Sequence, residues 1–226
     1  MRDFNKITKV IQLLLLAMLV VIGYNLSNNL KTTNNNSKKI ETPTLPPPRN
    51  VKIDASNNPI IGDSLASVNL IVFSDFECLY CYKLYEQIKN LEKEFIETGL
   101  IKITFINYPL KSHDKANFFA KISEYAYKKG VFKDVYEIIF ENHKDITRDN
   151  YSDYLLDFFP DKEEFTNYIN KPNLSVVEDM KKVNEIGIKG TPAFIINNVL
   201  YVGIRTDTEF KNILNKAITE TENICD

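Results

Sequence analysis

Two kinds of hydrophobic pattern follow each other in the middle of the chain. A mostly apolar run from Val68 to Phe73 has the length and composition of a buried strand. After a short polar break, apolar residues recur at helical spacing, at Leu84, Ile88, Leu91 and Phe95. Residues 100–106 then alternate apolar and polar side chains, which predicts a second strand. A strand, a helix and a strand in this order predict a βαβ unit with a right-handed crossover.

Helical spacing dominates from Ser112 to Gly187. Two helical faces carry large apolar side chains, the first at Phe132, Val135, Tyr136, Ile139 and Phe140 and the second at Tyr151, Tyr154, Leu155 and Phe158. Asp161 and Glu164 form the pattern of a capping box that opens a further helix. Because strands precede and follow this block, we expect a helical insertion at about residues 112–187.

Strands return near the C-terminus. An apolar run at Ala193–Ile196, a turn at Asn197-Asn198 and a second run at Val199–Val202 predict a hairpin. A last helix is expected after a capping box at residues 206–209. The whole pattern predicts an α/β domain that covers about residues 51–220.

The N-terminal part of the chain has a different character. Arg2, Lys6 and Lys9 precede an apolar run at residues 10–26, which is the charge placement expected at the N-terminus of an exported protein. The run is close to the lower limit for a membrane span, about 17 residues, and no cleavage site of the A-x-A type follows it. The preferred interpretation of residues 1–26 is an uncleaved signal anchor, and a cleaved signal peptide is the alternative.

A polar segment separates this run from the predicted domain. Residues 27–50 are rich in Asn, Thr, Lys and Pro and contain little that could be buried. Because prolines stiffen such a segment, we expect a disordered tether that holds the domain away from the membrane. The predicted location is periplasmic or otherwise extracytoplasmic. We expect the protein to be anchored to the inner (cytoplasmic) membrane through residues 10–26, or to be secreted into the periplasm if the signal is cleaved.

Composition narrows the classes of function. The 226 residues, of which 44% are hydrophobic and 26% charged, are enough to bury one substantial core. The formal net charge is -2, which gives no reason to expect nucleic acid as a partner. The three cysteines, Cys78, Cys81 and Cys225, are too few for a scaffold held together by disulfides.

The first two cysteines lie at the junction between the predicted buried strand and its helix. A thiol at a helix N-terminus has a lowered pKa, because unpaired backbone N–H groups and the helix dipole favour the thiolate. The three-residue spacing brings the second sulfur alongside, where it can close or release a disulfide. We therefore expect a redox pair, with Cys78 as the attacking thiolate and Cys81 as the buried resolving thiol, and no cofactor.

A metal site is the alternative for these cysteines. Tetrahedral zinc needs four ligands, and Cys225, His113 and His143 are not at ligand spacing, so no metal is expected. His113, in a polar stretch, is interpreted as solvated surface rather than as a proton carrier. Cys225, one residue from the C-terminus, is interpreted as a terminal thiol without a role. A regulatory or intermolecular disulfide is the alternative for Cys225.

Taken together, these features resemble the DsbA-like branch of the thioredoxin superfamily. The resemblance covers roughly residues 51–218. It rests on four motifs in matching order, namely Pro-x-x-Gly at residues 59–62, Phe73-Ser74-Asp75-Phe76-Glu77-Cys78-x-x-Cys81, Tyr108-Pro109-Leu110 and Gly190-Thr191-Pro192. It implies an α/β thioredoxin fold with an inserted helical subdomain, here preceded by an N-terminal membrane anchor. It also implies that Pro192 is a cis-proline that faces the disulfide.

The residues around the disulfide form the predicted substrate-binding site. X-Pro is the one peptide bond for which the cis form costs little. A proline that begins a strand also leaves the backbone of its neighbour free to pair with an incoming peptide. We therefore expect Thr191, next to Pro192, to pair with the substrate backbone, and we expect Leu79 and Tyr80, between the cysteines, to contact the substrate as well.

Two positions depart from the family pattern. Many relatives carry a buried acid six residues before the first cysteine, where this chain has Val72. Asp75 or Glu77 are the candidates to replace that acid, and direct proton transfer to water is the alternative. The dipeptide Leu79-Tyr80 lacks the proline that relatives often place first, so the redox potential of a relative cannot be transferred.

The resemblance implies an exported thiol–disulfide oxidoreductase that introduces disulfides into secreted or periplasmic proteins. Its partners are then reduced or misoxidised exported proteins and a quinone-linked membrane protein that reoxidises it. A reductase or isomerase of the same compartment is the alternative within the enzyme class. A thiol metallochaperone that passes Cu(I) through the two cysteines, and a holdase that needs neither cysteine, are the alternatives outside it.

Overall fold

A computed structural model of the chain describes residues 14–27 and 45–225. The chain divides into two units, Met1–Thr44 and Leu45–Asp226. In the first unit, residues 14–27 form a helix whose apolar side chains are exposed. Among the residues that the structure describes, no helix is both long enough and apolar enough to cross a membrane.

Much of the predicted anchor and tether lies outside the described residues. The predicted anchor covers residues 1–26, of which residues 1–13 are not described. The predicted tether covers residues 27–50, of which residues 28–44 are not described. Both therefore stay predictions. The side chain of Cys225 also lies outside the described part, so its interpretation stays a prediction as well.

Within residues 45–225 the strands form one six-stranded sheet. The strands are β1 (Arg49–Asn50), β2 (Ile60–Ile61), β3 (Val68–Ser74), β4 (Ile101–Asn107), β5 (Ala193–Ile196) and β6 (Val199–Val202). Their order across the sheet is β1-β6-β5-β3-β4-β2. β3 pairs in parallel with β4, and every other neighbouring pair is antiparallel. The predicted βαβ unit is therefore present, with β3 at the centre of the sheet.

Seven α-helices accompany the sheet within residues 45–225, and five of them follow one another between two strands. In chain order they are α1 (Leu79–Leu91), α2 (Ala116–Lys128), α3 (Phe132–Glu141), α4 (Tyr151–Leu155), α5 (Lys162–Asn170), α6 (Leu174–Glu185) and α7 (Asp207–Cys225). A π-helical turn at Glu92–Ile96 extends α1, and a 3₁₀ turn at Leu156–Phe158 extends α4. Helices α2 to α6 lie between β4 and β5 in the sequence, in the stretch where the sequence predicts an insertion.

The central strand is mostly apolar, with Asn69 and Ser74 as its polar residues, because both faces of the sheet are covered. Val68, Leu70 and Val72 belong to the larger hydrophobic cluster, which includes residues of α1 and of the helical block. Phe73 belongs to a second cluster on the opposite face, with residues of β5 and α6. Successive side chains of a strand point to opposite faces, so a strand buried on both faces has no polar alternation.

One strand lies in the segment that the sequence assigns to the tether. Arg49 and Asn50 pair with Leu200 and Val199 of β6 and form an edge of the sheet. Both side chains are exposed, because pairing at an edge uses backbone groups and needs no apolar side chain. The ordered unit accordingly begins at or before Arg49 rather than at Val51, which corrects the predicted boundary.

Candidate active site

The two cysteines lie where the central strand β3 passes into helix α1. Cys78 is the last residue before the helix, in extended conformation, and Cys81 lies in the first turn. The backbone N–H groups of Cys81 and Tyr82 donate to the Cys78 carbonyl at 2.9 and 3.1 Å, which closes that turn. Both cysteines are free thiols and both are buried. This is the placement that the sequence predicts.

The two thiols differ sharply in acidity. The contact with the Cys81 side chain lowers the pKa of Cys78 to about 6, although burial opposes the shift. Burial raises the pKa of Cys81 well above its usual value, and the adjacent Cys78 raises it further. A thiolate at Cys78 also lies at the N-terminus of α1, where the helix dipole favours negative charge. The pair can therefore hold one thiolate and one protonated thiol near neutral pH.

This asymmetry predicts a titration. In the reduced protein, we expect the ultraviolet absorbance of the thiolate to rise in a single step with a midpoint near pH 6, as Cys78 ionises. The Cys81→Ser variant should show a higher midpoint, because the side-chain contact that lowers the pKa of Cys78 is weakened. The Cys78→Ser variant should show no absorbance step in this pH range, which would assign the step to the Cys78 thiolate. A midpoint of the reduced protein near that of a free cysteine, about 8.5, contradicts the prediction.

The Thr191–Pro192 peptide faces the cysteines across the site. This peptide bond is cis, and Pro192 is buried. The Cys78 thiol donates to the Thr191 carbonyl at 3.4 Å. Among the described residues, neither the N–H nor the C=O of Thr191 bonds another backbone group, and the C=O accepts only from the Cys78 thiol. Thr191 thus presents a backbone N–H without a partner beside Cys78.

The two residues between the cysteines are exposed. Leu79 has 55% of its surface accessible and Tyr80 has 52%, and both are large hydrophobic side chains. The ammonium group of Lys83 lies 5.4 Å from the centre of the Tyr80 ring. An apolar surface next to a reactive sulfur is suited to contact a substrate side chain. The structure therefore brings Leu79, Tyr80 and Thr191 together around Cys78.

The family's buried acid has no counterpart at Val72, which is buried between Phe105 of β4 and Phe194 of β5. Of the two candidates to replace this acid, Glu77 binds backbone groups of another element. Its Oε2 atom accepts from the backbone N–H groups of Lys115 and Ala116, the latter at 2.9 Å, at the start of α2. Its carboxylate therefore stabilises a helix N-terminus.

Asp75 is the buried acid of this site. Its backbone N–H donates to the Cys81 sulfur at 3.4 Å. One carboxylate oxygen accepts from Glu77 N–H, and the other accepts from Leu110 N–H, both at 2.8 Å. The second oxygen also lies 2.8 Å from Nδ1 of His113. A carboxylate and an imidazole thus form a pair directly beside the cysteines.

The structure corrects the interpretation of His113 as solvated surface. Only 27% of its side chain is exposed, and it is held by Asp75 at a distance of 38 residues in the sequence. The only signal was positional, since His113 lies three residues after the Tyr108-Pro109-Leu110 motif. The polar residues around His113 are the same as those expected around a solvated histidine, so they do not indicate a contact with a distant buried carboxylate.

Comparison with known proteins gives the family. A family model described as Thioredoxin matches residues 54–216. The chain belongs to the thioredoxin family. Among solved structures, it is similar to oxidised BdbD from Bacillus subtilis, with a TM-score of 0.65 and 22% sequence identity over 75% of this chain and 97% of that chain. It is also similar to alpha-DsbA1 from Wolbachia pipientis, with a TM-score of 0.64 and 20% identity over 76% of this chain and 96% of that chain. At these identities the likeness shows a shared fold.

Relatives of this thioredoxin-family chain include disulfide bond formation proteins. Probable disulfide bond formation protein D from Bacillus cereus is 26% identical over 152 residues, which are 62% of this chain and 70% of the relative. Disulfide bond formation protein D from Bacillus subtilis is 26% identical over 172 residues, which are 71% of this chain and 77% of the relative. The predicted DsbA-like resemblance and the predicted class of enzyme, a thiol:disulfide oxidoreductase, are confirmed.

A relative of another kind matches over part of its length. The Na(+)/H(+) antiporter NhaA 1 from Salinispora arenicola is 22% identical over 150 residues, and the chain spans 22% of that protein's length.

Among the described residues of the thioredoxin-family chain, no group of three or more His, Cys, Asp or Glu side chains could hold a metal ion.

The thioredoxin-family chain also contains a buried acidic cluster that the sequence does not reveal. Asn107, at the end of β4, donates through its side chain to Glu124 of α2 at 2.9 Å and through its backbone N–H to Asp179 of α6 at 3.2 Å. The side chain of Asn58 donates to both carboxylate oxygens of Asp179, at 2.9 and 3.0 Å. Burial raises the pKa of Glu124 to about 7, and the charge of Asp179 adds to the shift.

Proposed function

We propose that this protein oxidises pairs of thiols in exported proteins, with the Cys78–Cys81 disulfide as the oxidant. The observation that supports this most strongly is the difference in acidity between the two thiols. A couple whose reduced form contains a stabilised thiolate favours that reduced form, so its disulfide is a strong oxidant. The pKa of Cys78 is lowered to about 6, which is the required direction.

The proposed reaction has two exchange steps. A substrate thiolate attacks the Cys78 sulfur, the Cys78–Cys81 bond breaks, and Cys81 leaves and takes up a proton. A second substrate thiolate then attacks the substrate sulfur of the mixed disulfide, and Cys78 leaves as a thiolate. The substrate loses two electrons and gains a disulfide, while the enzyme gains two electrons. Both steps have the form of ordinary thiol–disulfide exchange.

Attack at Cys78 rather than at Cys81 agrees with the burial of the two sulfurs. Cys81 is 2% exposed and is covered by the loop that carries Asp75. Cys78 is 8% exposed and adjoins the accessible side chains of Leu79 and Tyr80. A mixed disulfide at Cys78 therefore requires less rearrangement than one at Cys81.

An extended substrate segment is proposed to lie along Thr191. Neither the N–H nor the C=O of Thr191 bonds another backbone group, and the C=O accepts only from the Cys78 thiol. Both groups can therefore pair with an extended peptide, which adds to exposed backbone by hydrogen bonds. Leu79 and Tyr80 would then contact apolar side chains on either side of the substrate cysteine. Backbone recognition of this kind is tolerant of sequence, as an enzyme with many unfolded substrates requires.

The proposed compartment is extracytoplasmic. The sequence of residues 1–26 has the charge placement of an exported protein, and disulfides persist outside the cytoplasm. The relatives named disulfide bond formation protein D point the same way. Each catalytic cycle leaves the enzyme reduced, so a partner must reoxidise it. By resemblance to the DsbA-like branch, we propose a quinone-linked membrane protein for this role and an anchor at residues 10–26.

The reduction potential of the Cys78–Cys81 couple tests this function. We expect the full chain, with Cys225→Ser, to equilibrate with glutathione at a potential well above about -180 mV, because the Cys78 thiolate stabilises the reduced state. The ratio of reduced to oxidised protein can be read after thiols are trapped by alkylation. A potential of about -270 mV would instead identify a thioredoxin-like reductase and would contradict the proposed direction.

A further inference from the structure

A residue with a buried carboxylate contacts the proposed redox pair through its backbone. Asp75 is 1% exposed, and its backbone contacts both cysteines, since its N–H donates to the Cys81 sulfur and its C=O accepts from Cys78 N–H at 3.1 Å. Two negative charges close together in a poorly solvated site repel each other. An uncompensated carboxylate at Asp75 therefore opposes a thiolate at Cys78.

His113 is the residue that can compensate this charge. Its Nδ1 atom lies 2.8 Å from the carboxylate of Asp75, whose other hydrogen-bond donors are the neutral backbone N–H groups of Glu77 and Leu110. The 27% of the His113 side chain that is exposed allows it to exchange protons with solvent. Partial burial lowers the pKa of His113, but the hydrogen bond and the charge of Asp75, with those of Cys78 and Glu77, raise it overall.

The other charged groups of this region are bound to different partners. The carboxylate of Glu77 accepts from backbone N–H groups at the start of α2. The ammonium group of Lys115 donates to the carbonyls of His143 and Ile146. The guanidinium of Arg148 donates to the carbonyl of Asp114. Within the described residues, His113 is thus the only cationic side chain that contacts Asp75.

We propose that His113 is a positioning residue that stabilises the Cys78 thiolate by covering the charge of Asp75. Protonated His113 removes the repulsion between the Asp75 carboxylate and the thiolate, so the reduced form of the enzyme is favoured. The proposal deepens the proposed function, on which it rests, because it assigns part of the oxidising strength to a residue outside the cysteine motif. His113 acts through Asp75 and touches neither sulfur.

The first test compares two histidine variants in a Cys225→Ser background. In His113→Gln, we expect the thiolate titration of Cys78 to move to higher pH. The equilibrium with glutathione should shift roughly three- to tenfold towards the protein disulfide, the size expected for one partly screened charge. His143→Gln is the matched control. The His143 ring is tilted against Tyr82 of α1 with 4.4 Å between ring centres, and its Nδ1 atom contacts the Phe140 carbonyl rather than a carboxylate. The control should match the parent protein.

A second variant separates this charge effect from a structural one. In the Asp75→Asn background the repulsive charge is absent, so His113→Gln should shift the Cys78 titration clearly less than it does beside Asp75, with only the direct charge interaction between His113 and Cys78 remaining. A structural role for His113 would instead produce the same shift in both backgrounds. An unchanged titration and potential in His113→Gln, with urea unfolding like that of the parent, would overturn the proposal, as would equal shifts in the two histidine variants.

The two proposals can fail separately. The potential of the parent protein tests the proposed direction of electron flow. The comparison of the two histidine variants uses the thiolate titration, which does not depend on that direction. A reducing parent potential with a shifted His113→Gln titration would reject the oxidase function and keep the role of His113.

Discussion

We expect the replacement of Cys78 with serine to reduce thiol–disulfide exchange to the uncatalysed rate. The replacement of Cys81 with serine should leave only the attack of Cys78 on a substrate disulfide, and this reaction should stop at the mixed disulfide. A serine hydroxyl cannot form a disulfide with the substrate, so the Cys78→Ser variant has no covalent path. In Cys81→Ser, Cys78 still ionises and still reacts with a substrate disulfide. The resulting mixed disulfide then persists, because the resolving thiol is missing.

Both outcomes can be seen in one assay. Each variant, in the Cys225→Ser background, is incubated with a test protein that contains a single disulfide, and the products are separated on gels with and without reductant. We expect a reductant-sensitive covalent complex for Cys81→Ser and none for Cys78→Ser or the double variant. A complex of equal yield in Cys78→Ser would mean that Cys81 is the attacking thiol, and retained turnover in that variant would reject the redox pair altogether.

The parts of the site that the sequence predicts are those encoded by short spacings. Cys78 and Cys81 are one helical turn apart, so the helical pattern that follows them is enough to place both sulfurs together. The strands at Val68–Ser74 and Ala193–Ile196 are predicted within one residue, because each is a short apolar run bounded by polar or turn residues. Thr191 is 113 residues from Cys78, and only the family resemblance predicts its place at the site, since no local pattern connects the two residues.

The parts that the sequence does not predict are polar contacts between distant elements. Asp75 and His113 are 38 residues apart, and Asn58 and Asp179 are 121 residues apart. A buried polar group needs a partner, but neither its own residue type nor its neighbours in the chain name that partner. The sequence also does not predict strand β1, because the pairing of β1 with β6 uses backbone groups alone and leaves no side-chain pattern. Hydrophobic periodicity therefore predicts the helices and strands. The contacts between charged residues near the cysteines can be identified only in the folded structure.

The second large effect that we expect is on stability and its dependence on pH. Glu124 is 3% exposed, accepts one hydrogen bond from Asn107, and lies near the carboxylate of Asp179. Burial first, and then the charge of Asp179, raise the pKa of Glu124 from its ordinary 4.5 to about 7 in the folded protein. Burial also raises the pKa of Asp179. Ionising Glu124 as the pH rises past about 7 therefore costs folding free energy.

The sign of the pH dependence follows from proton binding. Between pH 4.5 and about 7, the folded protein keeps a proton on Glu124 that the unfolded chain has lost. The free energy of unfolding therefore falls as the pH rises through this interval, and the favourable contribution is complete only below it. A pKa shift of this size corresponds to roughly 3 kcal/mol, since each pKa unit is worth about 1.4 kcal/mol.

Glu124→Gln tests this directly, because glutamine keeps an oxygen that can accept from Asn107 and carries no charge. We expect the variant to be more stable than the parent at about pH 8, by up to roughly 3 kcal/mol, and nearly equal to it at pH 4.5, where both forms are neutral. Urea unfolding at the two pH values measures the difference. Glu222→Gln, on the exposed side of α7, is the matched control and should have little effect at either pH. A Glu124→Gln variant that is destabilised equally at both pH values would show that the hydrogen bonds of Glu124 outweigh its buried charge.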